Sequence, residues 1–196
     1  SFMRCSPNIV ISCPSTEHEL WHLLNICYAH KGPAAIRYPR GSGIGVQPIP
    51  NEVGGFEIGK AKKIKDGQSV CILNFGVLMD QIDQIAEKKD YTLYDMRFIK
   101  PIDQDALEHA MQHETIITLE DNTLLGGCGR AVGEKLHKQK FKGNLLSIGL
   151  KDEFPAHGSR NEILRQNGLD EESIQKTIDD FFCLLYTSDA ADEIAS

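Results

Sequence analysis

The chain has 196 residues, of which 41% are hydrophobic and 25% are charged, a composition typical of a globular protein with its own core. Its formal net charge is −7, and this acidic balance disfavours nucleic acid as a partner. We expect no membrane span, because no stretch approaches the roughly 20 apolar residues that cross a bilayer. The cysteines lie scattered without a CxxC pair, which disfavours a zinc site and indicates reduced thiols in a cytosolic setting.

Residues 1–48 predict a strand, a helix and a second strand. The β-branched run 8–12 indicates the first strand, residues 17–30 the helix, and residues 34–38 the second strand. Such a unit belongs in a parallel sheet, yet two strands do not form a stable sheet alone. We therefore expect residues 1–48 to be the end of a domain whose beginning precedes this sequence.

The predicted helix 17–30 begins with the pattern of a capping box, in which Thr16 is followed by Glu19 three residues later. Its apolar residues recur at helical spacing and predict one buried stripe. The expected members of this stripe are Leu20, Leu23, Leu24 and Cys27.

Residues 41–55 are rich in glycine and proline and predict a linker between two domains. Residues 41–45 read Gly-Ser-Gly-Ile-Gly, but a proline-containing stretch follows them. A dinucleotide-binding loop requires a helix at that point, so a connector is the better interpretation. We expect the second domain to cover residues 49–183.

Predicted strands and helices alternate in this second domain. The strands are expected at about 57–64, 69–75, 91–95, 115–119 and 144–148, and the helices near 79–89, 103–112, 127–138, 160–167 and 171–182. This alternation predicts an α/β fold with three layers and a mainly parallel sheet. The first two strands are expected to form a hairpin through Asp66 and Gly67, which gives the sheet one antiparallel edge. Residues 184–196 match neither pattern, and we interpret them as a non-native tail.

The sequence Arg-Tyr-Pro-Arg-Gly at residues 37–41 is the strongest candidate for a binding site. It follows a predicted parallel strand, and open α/β sheets bind their ligands at the carboxyl ends of such strands. Guanidinium suits phosphate, because its planar fork makes paired hydrogen bonds. From the residues alone, a phosphate site and a surface or interdomain ion pair both remain open for Arg37 and Arg40.

Two further groups of residues at predicted strand ends permit chemistry but have simpler interpretations. Gly126, Gly127 and Gly129 open a predicted helix, whose amide groups can bind an anion. We expect them instead to allow close packing of the helix on the sheet. Residues 120–122, Glu-Asp-Asn, have side chains that can ligate a metal or transfer protons. Capping and hydrogen bonds between domains are the expected roles.

The histidines and one charged loop complete the candidates. Four histidines form two pairs at helical spacing, and these are His18 with His22 and His109 with His113. The spacing permits a metal site, but we expect solvated helix faces for both pairs. His157 falls in a predicted loop, where either role is open. Residues 95–101 alternate charged and apolar side chains and predict a loop held by ion pairs at an interface.

Taken together, these motifs are similar to those of the 1-deoxy-D-xylulose-5-phosphate synthases, a family of transketolase-like, thiamine-diphosphate-dependent enzymes. The matching segments are residues 3–8, 14–15, 32–41, 72–76, 95–101, 119–122, the glycines 126, 127 and 129, and residues 148–150. The match runs in order from residue 1 to about residue 182, and residues 37–41 are its most specific part.

The resemblance implies an enzyme that condenses pyruvate with glyceraldehyde 3-phosphate, with loss of carbon dioxide, to give 1-deoxy-D-xylulose 5-phosphate for isoprenoid, thiamine and pyridoxal precursors. It implies thiamine diphosphate and Mg²⁺ as cofactors, and a homodimer in the bacterial cytoplasm or in a plastid. Residues 1–48 then correspond to the end of the pyrimidine-binding domain, and residues 49–183 to the C-terminal domain. The resemblance implies that Arg40 holds the phosphate of the aldehyde and that Arg37 is structural.

The family's cofactor motif, Gly-Asp-Gly followed by Asn, does not occur in this sequence. We therefore expect no catalytic, cofactor-binding or metal-binding residue in it, and no activity from this chain alone. Two alternatives stay open. One is another transketolase-like enzyme, such as a 2-oxo-acid dehydrogenase beta subunit, which the residues at 37–41 disfavour. The other is a non-catalytic α/β association module.

Overall fold

The computed structural model describes residues 2–41, 45 and 56–195. Most of the predicted linker, and with it the predicted boundary near residue 48, lies outside the described residues. We call residues 2–41 the N-terminal segment and residues 56–183 the C-terminal segment.

The N-terminal segment forms the predicted strand, helix and strand. Its elements are a 3-10 helix, Phe2–Cys5, strand β1, Val10–Ser12, helix α1, Glu17–Ala29, and strand β2, Ala34–Ile36. Strands β1 and β2 are parallel, with Val10 opposite Ala34. Thr16 caps α1 as predicted, because its side-chain oxygen accepts the backbone N–H of Glu19. Strand β2 ends two residues earlier than the predicted range 34–38.

The C-terminal segment contains a five-stranded sheet. Its elements are β3, Lys62–Lys65, β4, Gln68–Phe75, α2, Met79–Lys89, β5, Tyr91–Asp95, β6, Phe98–Lys100, α3, Gln104–Ala110, β7, Thr115–Thr123, α4, Cys128–Lys138, β8, Asn144–Leu150, α5, Arg160–Gln166, and α6, Glu171–Ala195. The order in the sheet is β3-β5-β4-β7-β8, and β3 alone is antiparallel to its neighbour. The predicted mainly parallel sheet with one antiparallel edge is confirmed.

The partner of the edge strand differs from the prediction. Strand β3 pairs with β5, so β3 and β4 do not form the expected hairpin. Strand β4 has parallel neighbours on both sides, β5 and β7, so it has no free edge for β3, and β3 pairs with β5 instead. Strand β3 is also shorter than predicted, because residues 58–59 form a turn in which Gly59 has a φ of +80°.

Helices cover both faces of this sheet and give the predicted three layers. Residues that alternate along β4 face opposite layers, as in any strand. Leu73 and Phe75 lie in a cluster with the side chains of α3 and α4, such as Val132. Ile72 lies in a second cluster with the side chains of α2 and α6, such as Ile82. All five of these side chains are fully buried.

Strand β6 joins the two segments. It pairs antiparallel with β1, so that β2, β1 and β6 form a second sheet of three strands. The prediction of a loop over residues 95–101 is therefore wrong for Phe98–Lys100. Phe98 is fully buried against Val10 and Leu23 of the N-terminal segment. The C-terminal segment thus supplies the third strand that the two predicted strands of residues 1–48 lack.

The buried face of α1 differs from the predicted stripe. The buried residues of this helix are Glu19, His22, Leu23 and Cys27. Leu24, by contrast, is 52% exposed. The buried face of α1 includes Glu19, because the Glu19 carboxylate accepts a hydrogen bond from Arg97 of the C-terminal segment. The expected solvated face is wrong for His22, which is buried and packs beside Phe56.

Helix α6 was predicted over residues 171–182 and continues in the structure to Ala195. Its first half packs on the sheet through Ile174 and Ile178, which are fully buried. The interpretation of residues 184–196 as a non-native tail stays a prediction. Of the helices in the described ranges, none combines the length and the hydropathy that crossing a membrane requires.

Candidate functional site

A cavity of about 540 Å³ lies between the two segments. The residues on its wall that matter here are Ser15, Glu17, Tyr38, Arg40, Asp80 and Arg160. Its volume falls in the range of roughly 300–1,000 Å³ that is typical of small-ligand sites. Residues 38–41 therefore border a cavity at the carboxyl end of a parallel strand, as the sequence predicted for this motif.

Arg37 is engaged in an ion pair between the two segments. It donates to the backbone oxygen of Asp121 at 2.6 Å and pairs with the carboxylate of the same residue. Burial acts to lower the pKa of Arg37, but the charge and hydrogen bond of Asp121 raise this pKa above its ordinary value. A Cβ added at Gly76 would lie 3.4 Å from Arg37 Nη1, so a larger side chain there would crowd the pair. The structural role expected for Arg37 is confirmed.

Arg40 has different surroundings. It is exposed and borders the cavity. Its guanidinium forms no hydrogen bond or ion pair with the residues that the structure describes. Pro39 before it restricts the backbone, and Gly41 after it adds no side chain. The guanidinium of Arg40 is therefore available to an anionic ligand, whereas that of Arg37 is not.

A buried polar cluster lies behind the cavity wall at Ser15. Ser15 Oγ is 2.5 Å from Asp95 Oδ2 and 3.1 Å from Glu19 Oε2. Arg97 reaches Glu19 Oε1 through Nε at 2.8 Å and through Nη2 at 2.7 Å. The guanidinium of Arg97 also covers the ring of Phe56, with Cζ 3.7 Å from the ring centroid. The cluster ties α1 to β5 and β6, and the ion pair predicted for residues 95–101 is confirmed.

The two carboxyl groups of this cluster hold one proton between them. Burial and the charge of Glu19 raise the pKa of Asp95 to about 8. Burial acts to raise the pKa of Glu19, but its hydrogen bond with Asp95 and the charge of Arg97 lower it below the ordinary value. At neutral pH Asp95 therefore keeps its proton and Glu19 is ionised. The sequence analysis missed this pair, because the two residues lie on different segments.

The N-terminus of α4 is occupied by the chain's own carboxylate. Glu120 is fully buried, and its two oxygens accept the N–H groups of Cys128 and Gly129 at 2.9 Å each. A Cβ added at Gly127 would lie 2.5 Å from Glu120 Oε1. The glycines thus allow a close approach of helix to strand, and the expected capping and packing roles are confirmed. The backbone amides of Cys128 and Gly129 are therefore not available to an external anion.

The histidine rings mostly contact one another or polar side chains. His18 Nε2 lies 3.1 Å from His22 Nε2. His109 Nδ1 lies 3.1 Å from the hydroxyl of Tyr94. His113 lies beyond the end of α3, against the prediction, and its Nδ1–H donates to the backbone oxygens of His109 and Ala110. His157 is exposed.

Among the described side chains there is no cluster of three or more His, Cys, Asp or Glu that could hold a metal ion. The residues present therefore do not fit a site for Mg²⁺ and the diphosphate that it accompanies. We assign no chemical step in this chain to either group. All six cysteines are free thiols, four of them buried.

Three residues near the cavity or between the segments were not singled out by the sequence analysis. Arg4 donates to the backbone oxygens of Gly126 and Gly127, at 2.7 Å each. Asp80 and Arg160 border the cavity from the C-terminal segment. Arg160 is the first residue of α5, which Ser159 and Glu162 open with a capping box. That Ser-x-x-Glu pattern was the available signal.

Comparisons with known proteins agree with this architecture. Residues 59–174 match the family described as Transketolase, C-terminal domain. The chain is 42% identical over 182 residues to the 1-deoxy-D-xylulose-5-phosphate synthase of Idiomarina loihiensis, covering 92% of this chain and 29% of that protein. It is 44% identical over 182 residues to the synthase of Mannheimia succiniciproducens, with the same 92% and 29% coverage. The chain thus spans about 29% of the length of these curated relatives.

Two solved structures share the fold. A split gene transketolase, described as an inactive beta4 tetramer, has a TM-score of 0.80 and 24% identity and covers 91% of this chain and 59% of that one. A transketolase from Campylobacter jejuni has a TM-score of 0.61 and 16% identity, with coverage of 90% and 27%. At these identities the likeness shows the fold alone. The family match shows that the chain belongs to the family Transketolase, C-terminal domain, and the curated relatives that are 42% and 44% identical to it carry the name 1-deoxy-D-xylulose-5-phosphate synthase.

Proposed function

We propose that this chain is part of a 1-deoxy-D-xylulose-5-phosphate synthase and that it holds the phosphate end of the aldehyde substrate. The reaction condenses pyruvate with glyceraldehyde 3-phosphate, releases carbon dioxide and yields 1-deoxy-D-xylulose 5-phosphate, a precursor of isoprenoids, thiamine and pyridoxal. The relatives with 42% and 44% identity carry this enzyme's name. Within the structure, the observation that carries the proposal is the available guanidinium of Arg40 at the cavity.

Arg40 acts by binding and orienting the aldehyde. A phosphate monoester is anionic at neutral pH, and a guanidinium donates to it through two parallel N–H groups. Hydrogen bonds to charged groups are worth about 1.5–3 kcal/mol each. Arg37 does not take this role, because Asp121 already occupies its guanidinium. Within this motif, Arg37 thus has a structural role and Arg40 a binding role.

The cofactors belong to the proposal at the level of the whole enzyme. Thiamine diphosphate with Mg²⁺ supplies the carbanion chemistry of such a synthase, and we place its binding residues outside this sequence. Residues 1–48 then form the end of the pyrimidine-binding domain and residues 49–183 the C-terminal domain of a homodimer, in the bacterial cytoplasm or in a plastid. By itself, this chain is proposed to be inactive.

The proposal is tested by Arg40→Gln in the full-length synthase that contains this sequence. We expect the KM for glyceraldehyde 3-phosphate to rise roughly tenfold or more, since 1.4 kcal/mol corresponds to a factor of ten. The KM for pyruvate is expected to stay unchanged. Steady-state kinetics with each substrate varied in turn measure both values.

Arg130→Gln is the matched control, because Arg130 is 73% exposed on α4 and pairs only with Glu134 of the same helix in the described part of the chain. This variant is expected to leave both KM values unchanged. An equal rise in the two KM values for Arg40→Gln would show that the substitution disturbs the site generally. If Arg40→Gln changed neither KM value, Arg40 would have no role in substrate binding.

A further inference from the structure

Arg160 borders the same cavity as Arg40 but comes from the other segment. It is the first residue of α5, and its position there is held by the capping box of Ser159 and Glu162. The Ser159 hydroxyl accepts the Glu162 N–H, and the Glu162 carboxylate accepts the Ser159 N–H at 2.8 Å. The start of α5, and with it the backbone of Arg160, is therefore locally fixed at the cavity wall.

The guanidinium of Arg160 forms no hydrogen bond or ion pair with the described residues. Its Nη2 atom is buried and has no hydrogen-bond partner in the described part of the protein. A buried donor without a partner costs about 1–3 kcal/mol, and more when the group is charged. Arg160 itself borders the cavity, so a ligand there that carries acceptor oxygens can complete the hydrogen bonds of its guanidinium.

The cavity wall carries both positively and negatively charged side chains. Glu17 and Asp80 also border the cavity. The Glu17 carboxylate accepts the backbone N–H of Gly45 at 2.7 Å. Across residues 2–41 and 56–185, neither Arg40 nor Arg160 forms an ion pair with an acidic side chain. Two guanidinium groups without acidic partners thus meet one cavity from opposite segments.

We propose that Arg160 is a second binding residue for the phosphate of the aldehyde substrate, reaching it from α5 while Arg40 reaches it from the loop after β2. This inference rests on the proposed function and adds a residue to its site. Its chemistry is that of a phosphate clamped by two guanidinium groups, each able to donate two N–H groups. The aldehyde then binds only when the two segments are packed against each other.

The test uses Arg160→Gln in the full-length synthase, beside Arg40→Gln. We expect Arg160→Gln to raise the KM for glyceraldehyde 3-phosphate roughly tenfold, because one charge-assisted contact is lost. The KM for pyruvate is expected to stay unchanged. With unphosphorylated D-glyceraldehyde as acceptor, kcat/KM is expected to equal that of the unsubstituted enzyme, since this aldehyde offers no phosphate to either arginine.

Arg165→Gln is the matched control, because Arg165 is exposed and lies on the same helix as Arg160. It is expected to change none of these constants. Arg160→Lys keeps the charge without the planar fork, so its KM is expected to lie between those of the unsubstituted enzyme and Arg160→Gln. This second variant keeps the test open if Arg160→Gln fails to fold.

The outcomes separate the two proposals. A raised KM for Arg40→Gln with an unchanged KM for Arg160→Gln overturns the role of Arg160 and leaves the proposed function standing. Unchanged values for both variants overturn both proposals. Equal losses of kcat/KM with the phosphorylated and the unphosphorylated aldehyde show that Arg160 only supports the fold, and this also overturns the inference.

Discussion

The two segments of this chain are stabilised in different ways. The N-terminal segment contributes only two strands of three residues each, β1 and β2, to its sheet. The C-terminal segment contains strands of up to nine residues and two apolar layers, one of which also includes Ile9, Ile11 and Cys13 of the N-terminal segment. The third strand of the smaller sheet is β6, which belongs to the C-terminal segment. The smaller sheet therefore depends on its neighbour for a strand, whereas all five strands of the larger sheet come from the C-terminal segment.

Polar contacts between the segments follow the same division. Several of them involve arginines, each in a different place, and these are Arg4, Arg37 and Arg97. Arg4 and Arg37 belong to the N-terminal segment and bind residues at the end of β7 and the start of α4. Arg97 reaches in the opposite direction, to Glu19 in α1. Ion pairs, short strands and apolar contacts with the C-terminal segment hold the smaller segment, whereas apolar burial on both faces of its own sheet holds the larger one.

The largest expected effect comes from Arg97→Met, which breaks this arrangement at its most buried ion pair. Glu19 and Arg97 are 6% and 9% exposed, so the substitution leaves an uncompensated buried carboxylate. Removing one partner of such a pair costs roughly 3–5 kcal/mol. Hydrogen exchange of the full chain should then show faster exchange for the amides of β1 and α1, while those of β4 and β7 keep their protection.

The double variant Glu19→Gln with Arg97→Met provides the control for this comparison. It removes the charge that the single variant leaves unpaired, and we expect it to recover part of the lost stability. Equal acceleration of exchange in both sheets would contradict the idea that the smaller segment is the dependent one.

The next effect is a dependence of stability on pH that Asp95→Asn should remove. The pKa of Asp95 is raised from 3.8 to about 8 in the folded protein. Its contribution to stability is complete below pH 4 and is lost as the pH rises toward 8, with a slope of up to about 1.4 kcal/mol per pH unit. The pKa of Glu19 is lowered, so its contribution to stability has the opposite dependence. That contribution is lost as the pH falls through the lowered pKa.

Urea unfolding between pH 5 and pH 8 measures this effect, since Glu19 is ionised in both states over that range. An asparagine amide donates a hydrogen bond to Glu19 at every pH. Asp95 donates one only when it is protonated, below its pKa. The variant's stability relative to the unsubstituted chain should therefore rise with pH. Two parallel profiles would show that Asp95 does not hold the shared proton.

The smallest expected effect is that of Arg37→Gln, which sharpens the comparison between the two arginines of residues 37–41. The side chains of Arg37 and Asp121 are 29% and 13% exposed, so we expect a loss of about 1 kcal/mol in the free energy of unfolding. The KM for glyceraldehyde 3-phosphate is expected to change little. Arg40→Gln should show the opposite pattern, with unchanged stability and a raised KM.

That contrast is measured by urea unfolding and steady-state kinetics on the same pair of full-length variants. A raised KM for Arg37→Gln that equals that of Arg40→Gln would contradict the division of roles. So would a loss of stability for Arg40→Gln as large as that for Arg37→Gln.

Much of the fold could be predicted because its signals are local. The capping pattern at Thr16 and Glu19 predicted the start of α1, and the alternation of strands and helices predicted a three-layer sheet. The hairpin of β3 with β4 was wrong, because a short connection does not decide which edge of the sheet is free. The buried stripe of α1 was wrong at Leu24, because a distant arginine turned Glu19 inward.

For the candidate site, the sequence by itself determined that an arginine-rich motif follows a parallel strand, because residue type and periodicity are local properties. Only the tertiary structure decided which arginine is free, since Asp121 occupies Arg37 and leaves Arg40 at the cavity. The same holds for β6, for the proton shared by Glu19 and Asp95, and for the unpaired nitrogen of Arg160. Each of these depends on groups that are distant in the chain and meet only when the two segments pack together.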